Sequence, residues 1–329
     1  MVIVTWDAVE MLPACLDSLG SQAIEALELV VVDNGSTDGS VELVELSWPA
    51  AKIIRLGHNV GFAAAAQRGI DESRGEAVAL LNYDVRLGPG YLGRCLEALD
   101  RQPELGRVQG VLVRPGGSVV DSAGHTATRG RWVRNRGENQ AVGAGPWAPA
   151  STFGVTAAAA VYRRAMLDDV AGVSGHVFDS AFFAYLEDVD LDWRANWLGW
   201  GAAVVDGAVA EHVRSGSGAR TQPELQRHII KNRLLLLYRN EDRTNILRDL
   251  PWIGGQLLAR WALTLATEPS ALLGIVDFWK IRPRQRAVRD AVKRSRRVDA
   301  ADARRWFRSS TAGGFSTRTR GPAPRESGG

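Results

Sequence analysis

Cysteine is nearly absent from this 329-residue chain, which holds only Cys15 and Cys95. The two are not spaced as a metal or redox pair, and a reducing compartment fits them. Both fall in segments of helical pattern and read as small buried hydrophobes. Long apolar runs are missing too. The richest stretch, Pro251 to Val276, is cut by Arg260 and Glu268, so no run approaches the roughly 20 residues needed to cross a bilayer. Met1 leads straight into Val2-Ile3-Val4 with no basic n-region and no apolar h-region, from which a protein facing the cytoplasm is expected. No internal repeat is visible. No G-x-G-x-x-G follows the first apolar run, where Val4-Thr5-Trp6-Asp7 stands instead, and this disfavours a dinucleotide-binding oxidoreductase.

What is present is a globular composition, 45% hydrophobic, enough for one substantial core and an appendage. The formal charge of +3 hides an asymmetry: Lys280 to Arg320 carries 14 basic and 3 acidic residues, leaving the rest of the chain at about −8. The basic character belongs to the tail. No nucleic-acid-binding module accompanies it and the body is acidic, so a nucleic-acid partner is not expected.

The first half alternates β-branched runs with helical patterns. Val2 to Thr5, Leu29 to Val32, Lys52 to Leu56 and Ala77 to Leu81 read as strands, and Glu10 to Leu19, Asp38 to Leu46 and Phe62 to Ser73 as helices. This predicts a parallel βαβα sheet with ligand-binding residues at the carboxyl ends of its strands. The stretch from Arg107 to Arg164, with a turn at Pro115-Gly116-Gly117, reads as an antiparallel extension. Glu187 to Trp197 returns to helix, Ala202 to Val205 to strand, and Pro223 to Arg239 to a long helix. Amphipathic helices joined at Glu268-Pro269 then run from Arg243 to Arg297, before a Gly/Ser/Thr/Arg-rich end read as disordered.

Five constellations are chemically suggestive. In Val30-Val31-Val32-Asp33-Asn34-Gly35-Ser36-Thr37-Asp38 an apolar strand breaks into a polar turn. Its acids suit either ligand hydroxyls or an Asx turn and helix cap. His58-Asn59-Val60-Gly61-Phe62 leads into Ala63 to Ala66, Gln67 and Arg68. There, small residues allow a ligand or the sheet itself to approach, and Arg68 offers charge to a phosphate. Leu80-Leu81-Asn82-Tyr83-Asp84 ends a strand with Asn82 and Asp84 at period-two spacing, suited to a divalent cation on a diphosphate or to an ordinary turn. In Phe182 to Trp193 four acids follow an aromatic run. A helix dipole accounts for their charge, whereas an aromatic wall would desolvate a carboxylate and raise its basicity. Last, His212 precedes the Ser/Gly loop that ends at Gly218.

The order and spacing of these segments over Val2 to Asn240 resemble family 2 glycosyltransferases of the GT-A fold, in particular their bacterial rhamnosyltransferase-like branch. The resemblance implies an α/β fold with a Rossmann-like mixed sheet flanked by helices. It also implies a catalytic domain over 1–240, a helical region over 241–308 and a tail over 309–329. It assigns Thr5, Asp7, Asp33, Asn59, Gly61, Arg68 and Asn82 to the donor nucleotide. Asp84 and His212 would hold Mg²⁺ or Mn²⁺, and Asp188 would act as catalytic base with Glu187 supporting it. The chain departs from the family at three places: Asp7 and Gln67 stand where Asn is frequent, and Asn82 stands for the first acid of the D-x-D element.

The activity so implied is inverting transfer of a sugar from a nucleotide-diphosphate donor to a glycan or lipid-linked hydroxyl in cell-envelope polysaccharide synthesis. The branch alone points to dTDP-rhamnose as donor. A catalytically silent scaffold of the same fold is the alternative, against which the joint retention of Asp84, Asp188 and His212 argues. Trp252, Leu257, Trp261, Leu265, Leu272, Phe278 and Trp279 make 250–308 either a peripheral contact with the inner face of the membrane or a set of helices packed on the catalytic domain.

Overall fold

In the computed structural model, residues 1–148, 151–214 and 223–307 are described. The β-branched runs form four parallel strands, β1 (Val2–Thr5), β2 (Val30–Asp33), β3 (Lys52–Arg55) and β4 (Ala77–Asn82), in the order β3-β2-β1-β4. Three helices connect them: α1 (Leu12–Gly20), α2 (Ser40–Ser47) and α3 (Phe62–Asp71). Alternation along the strands decides which side each helix takes. Ile3 and Val31 join the core under α1 and α2, whereas Val2, Val4, Val30 and Val32 pack with Ala63, Ala65 and Ala66 of α3. The alanine face of α3 thus serves close packing on the sheet.

The second half extends the sheet. After β5 (Val85–Leu87) and α4 (Tyr91–Arg101) come β6 (Leu105–Val113), β7 (Val120–Ser122), the hairpin strands β8 (His125–Ala127) and β9 (Val133–Asn135), then β10 (Ala159–Arg163). The helices α5 (Arg164–Ser174) and α6 (Glu187–Trp197) lead to β11 (Gly201–His212). β10 runs antiparallel between β4 and β6, and β11 lies parallel to β6 and antiparallel to β5. β11 is longer than the expected Ala202 to Val205, because a register shift between Val204 and Val209 absorbs the turn-like Asp206-Gly207 and lets pairing resume. The β8–β9 hairpin stands off the main sheet.

The C-terminal region is α7 (Pro223–Asn240), α8 (Arg243–Thr267), α9 (Leu273–Ile281), α10 (Arg286–Arg294) and the short α11 (Ala300–Ala303). This region shares the core of the preceding residues: Phe278 of α9, Val292 of α10, and Trp306 and Phe307 just after α11 are buried in one cluster with Phe153, Trp193 and Trp197. Arg131 bridges Glu241 at 2.5 Å and Asp249 at 2.9 Å. Packing of the C-terminal helices on the sheet and α6 is therefore observed. Yet α8 and α9 also leave Leu247, Leu250, Trp252, Leu258, Leu263, Leu265, Leu273, Val276 and Trp279 exposed. No described helix is long and apolar enough to cross a membrane. The expected tail over 309–329 and Ser215 to Gly218 of the loop after His212 lie outside the described residues.

Candidate active site

The carboxyl ends of β1, β2 and β4 open onto a cavity of about 750 Å³, closed on its other sides by the β8–β9 hairpin, the segment before α6, and helices α7 and α8. Of the residues expected at the donor nucleotide, Asn59, Gly61 and Asn82 line it, together with Trp6 and Asn34. Asn59 Oδ1 accepts from Asn34 Nδ2 at 3.0 Å and from the Gly61 N–H at 2.9 Å, which fixes the turn into α3. Thr5 and Asp33 pair across β1 and β2 and are buried behind the wall. Asp33 accepts from the Ser36 N–H at 3.0 Å, a local side-chain-to-backbone bond that closes the turn. Asp7 is exposed and accepts from the Thr37 N–H at 2.8 Å, tying two loops together. Arg68 is not on the cavity wall. Its half-exposed guanidinium pairs with Glu72 at 3.0 Å, one turn along α3.

Asp84 and His212 are brought together by register. Asp84 lies in the two-residue turn between β4 and β5, His212 ends β11 opposite Val85, and the Val213 N–H donates to the Asp84 carbonyl at 3.0 Å. His212 Nε2 is consequently 3.4 Å from Asp84 Oδ1. Its Nδ1 lies 2.8 Å from Oδ2 of Asp121, a buried acid on β7. Asp121 also meets Arg214 at 2.5 Å. Burial alone would lower the His212 pKa, but Asp121 and Asp84 outweigh it and raise it above the ordinary value. A divalent cation would replace the proton those carboxylates hold, with one oxygen and one nitrogen donor from the protein and Asp121 orienting the ring. No group of three or more His, Cys, Asp or Glu converges as a metal site among the described residues. Two protein donors alone would leave most positions of such a cation to a ligand's oxygens and water.

Asp188, in the first turn of α6, faces the cavity and Glu187 is buried beside it. Asp188 Oδ2 accepts from the Ala157 N–H at 3.2 Å and stands 3.8 Å from His125 Nε2. His125 Nδ1 in turn lies 2.7 Å from Asp192 Oδ2. Arg107 Nε donates to Asp192 Oδ1 at 2.6 Å, and the rest of its fork reaches Phe153 O, Asn196 Oδ1 and the carbonyls of Trp200 and Gly201. A line of alternating basic and acidic side chains thus runs Arg107, Asp192, His125, Asp188. Gly154 makes room for it, since a Cβ there would fall 1.7 Å from the Asp192 carboxylate.

The expected aromatic wall divides. Phe182 turns into the core, while Phe183 and Tyr185 line the cavity. Phe183, Tyr185 and Leu186 all have positive φ, at 64°, 68° and 70°, a conformation uncommon for bulky side chains and concentrated at functional sites. Asn232 of α7 holds this segment by donating its Nδ2 to the carbonyls of Phe182, Ala184 and Tyr185 at 2.8, 2.9 and 2.8 Å. Gly61, at φ 86°, lies so close that a Cβ would be 2.5 Å from the Phe183 ring.

Asp121, His125, Arg107 and Asn232 were not anticipated from the sequence. Asp121 follows the apolar Val119-Val120, and a lone acid in a strand is a weak signal. The partners of the other three lie 46 or more residues away along the chain.

The family model described as Glycosyl transferase family 2 matches residues 1–171. The N-acetylglucosaminyl-diphospho-decaprenol L-rhamnosyltransferase of Mycobacterium tuberculosis is 28% identical, over 67% of this chain and 77% of its own length. Among solved structures, Staphylococcus aureus TarS residues 1–349 superposes with a TM-score of 0.55 at 17% identity, covering 92% of this chain and 90% of that one. The mannosyltransferase PcManGT of Pyrobaculum calidifontis, solved with GDP-Man and Mn²⁺, gives 0.53 at 17% identity, covering 89% and 85%.

Proposed function

The chain belongs to glycosyl transferase family 2, and on that premise we propose that it transfers a sugar, with inversion, from a nucleotide-diphosphate donor to a hydroxyl of a lipid-linked glycan in cell-envelope synthesis. Its fold is the GT-A arrangement and it is a glycosyltransferase. The observation that carries the finer reading is that Asp188 and the Asp84–His212 pair open onto one cavity. The resemblance to a rhamnosyltransferase acting on a diphospho-decaprenol acceptor supports rhamnose as the sugar and a lipid carrier for the acceptor.

In this reading Asn34, Asn59 and Asn82 bind the nucleoside end of the donor, with Thr5, Asp7 and Asp33 supporting the loops from behind. Arg68, off the cavity wall, would reach the donor only by leaving its Glu72 ion pair. Asp84 and His212 would hold Mg²⁺ or Mn²⁺, which when bound would supply positive charge against the departing diphosphate. Asp188 takes the proton from the acceptor hydroxyl through a carboxylate oxygen steered by the Ala157 N–H. The hydroxyl oxygen then bonds to the anomeric carbon on the face opposite the leaving diphosphate, whose bond breaks with inverted configuration. The exposed apolar residues of α8 and α9 favour peripheral contact with the inner membrane face, where a lipid-linked acceptor resides.

The test is Asp188→Asn assayed for sugar transfer over a panel of dTDP-, UDP- and GDP-sugars with Mn²⁺ or chelator. Loss of about 10²–10⁴-fold in turnover with donor affinity retained is expected, together with loss of activity in chelator. A folded, donor-binding variant turning over at the wild-type rate overturns the base assignment, and undiminished activity in chelator overturns the metal.

A further inference from the structure

Three arginines line the end of the cavity formed by the hairpin and the C-terminal helices: Arg134 on β9, Arg233 on α7 and Arg260 on α8. The buried arginines of this protein find acids, as Arg107 does with Asp192, Arg131 with Glu241 and Arg194 with Asp190. None of these three meets a carboxylate among the described residues. Arg233 instead lies 3.3 Å over the Trp132 ring, which sets the plane of its guanidinium, and Arg260 donates to Gln226 Oε1 at 3.1 Å. Burial, with the Arg260 and Arg134 cations nearby, holds the Arg233 pKa below the usual guanidinium value. Clustered cations with no acid cost stability, and an anion entering among them relieves that cost. The planar forks of arginine suit phosphoryl oxygens.

Two further observations indicate which anion. On the reading above, the donor's diphosphate would find its counter-charge in a cation held by Asp84 and His212, so a second anionic group would belong to the other substrate. The helix that supplies Arg260 also exposes Leu258, Leu263 and Leu265, and nine of the twelve large hydrophobics exposed among the described residues fall between Leu247 and Trp279. A cationic end of the cavity, walled by a helix whose outer surface carries exposed leucines, matches a molecule with a phosphoryl head and a hydrocarbon tail. We propose that Arg134, Arg233 and Arg260 form the subsite for the phosphoryl group that joins the acceptor sugar to its lipid, with the lipid leaving along α8. This rests on the reading of the chain as acting on a lipid-linked acceptor.

The test uses the full chain and calorimetric binding in chelator, with farnesyl diphosphate, farnesol and inorganic diphosphate as probes. Farnesyl diphosphate should bind the wild type more tightly than either fragment. Arg233→Gln/Arg260→Gln should weaken it by about tenfold or more, Arg233→Lys should restore part of that loss, and dTDP affinity measured with Mn²⁺ should be the same in all. Arg134→Gln, at an exposed position, gives the same reading should the double variant fold poorly. Equal affinity of wild type and variants for farnesyl diphosphate overturns the subsite. A parallel loss of dTDP affinity reassigns the arginines to the donor, and inorganic diphosphate binding as tightly as farnesyl diphosphate removes the lipid from the assignment. Wild-type transfer to a lipid-linked acceptor is scored separately. Its absence sinks the parent reading and leaves the binding result standing.

Discussion

His125 is a buried imidazole with a carboxylate facing each ring nitrogen, Asp192 at 2.7 Å and Asp188 at 3.8 Å. Burial alone would lower its pKa, but the two acids outweigh that, and Arg107 behind Asp192 does not cancel them, so the value is raised above 6.5. The folded state therefore binds the proton more tightly than the unfolded state. The resulting stabilisation is complete below about pH 6.5 and is lost as pH rises through the folded value. Melting curves of wild type and His125→Asn from pH 5.5 to 9 should accordingly diverge most at the acid end and converge at the alkaline end. A constant gap would show that the ring contributes by packing alone. The residues that the sequence made legible are those whose neighbours in the chain carry the signal, such as Asp188 after its aromatic run. His125 and Asp121 owe their surroundings to strand pairings that no local pattern records. Arg68 stands off the cavity wall and pairs with Glu72, because a charge four residues from an acid on a helix suits an ion pair as well as a ligand contact.

At the scale of elements, the segment between Phe182 and Leu186 is held against its own preferences. Three residues at positive φ cost of the order of 1–3 kcal/mol each, and the main compensation visible is the Asn232 amide on three carbonyls. Asn232→Ala should destabilise the protein by about 1–3 kcal/mol in denaturant titration and lower kcat more than it raises the donor KM, because Asp188 follows directly on this segment. A variant with unchanged kcat would detach the segment from the chemistry. The sequence marks β1 by its β-branched run and α6 by the three acids of its first turn, although the apolar residues of α6 alternate and nearly all of the helix is buried. β11 was cut short at Val205, since a bulge and a strand end present the same Asp-Gly signal. β7, β8 and β9 are three residues each, too short for a period to declare itself.

Over the whole molecule, the sequence posed packing and membrane contact as alternatives for the C-terminal helices, whereas the inner face of that region packs and its outer face is left apolar. Composition does not separate the two, because both faces draw on Leu and Trp. Phe307 shows how far the packing extends: its ring lies 5.1 Å from Trp193 and 6.0 Å from Phe153, with the Arg131 guanidinium at 4.1 Å. Phe307→Ala should cost about 3–5 kcal/mol and lower the melting temperature of the entire chain in a single transition. A separate low-temperature transition confined to the C-terminal helices would mean that the two regions fold independently. The same aromatic closure sets an order in time. When Asn240 leaves the ribosome, Trp193 and Trp197 still lack the cover that Trp306 and Phe307 give, which is several seconds of synthesis away at roughly 5–20 residues per second. For that interval the nascent chain presents an aromatic surface to whatever chaperone waits at the tunnel exit, and the wall beside Asp188 and His125 is finished only when its last turn emerges.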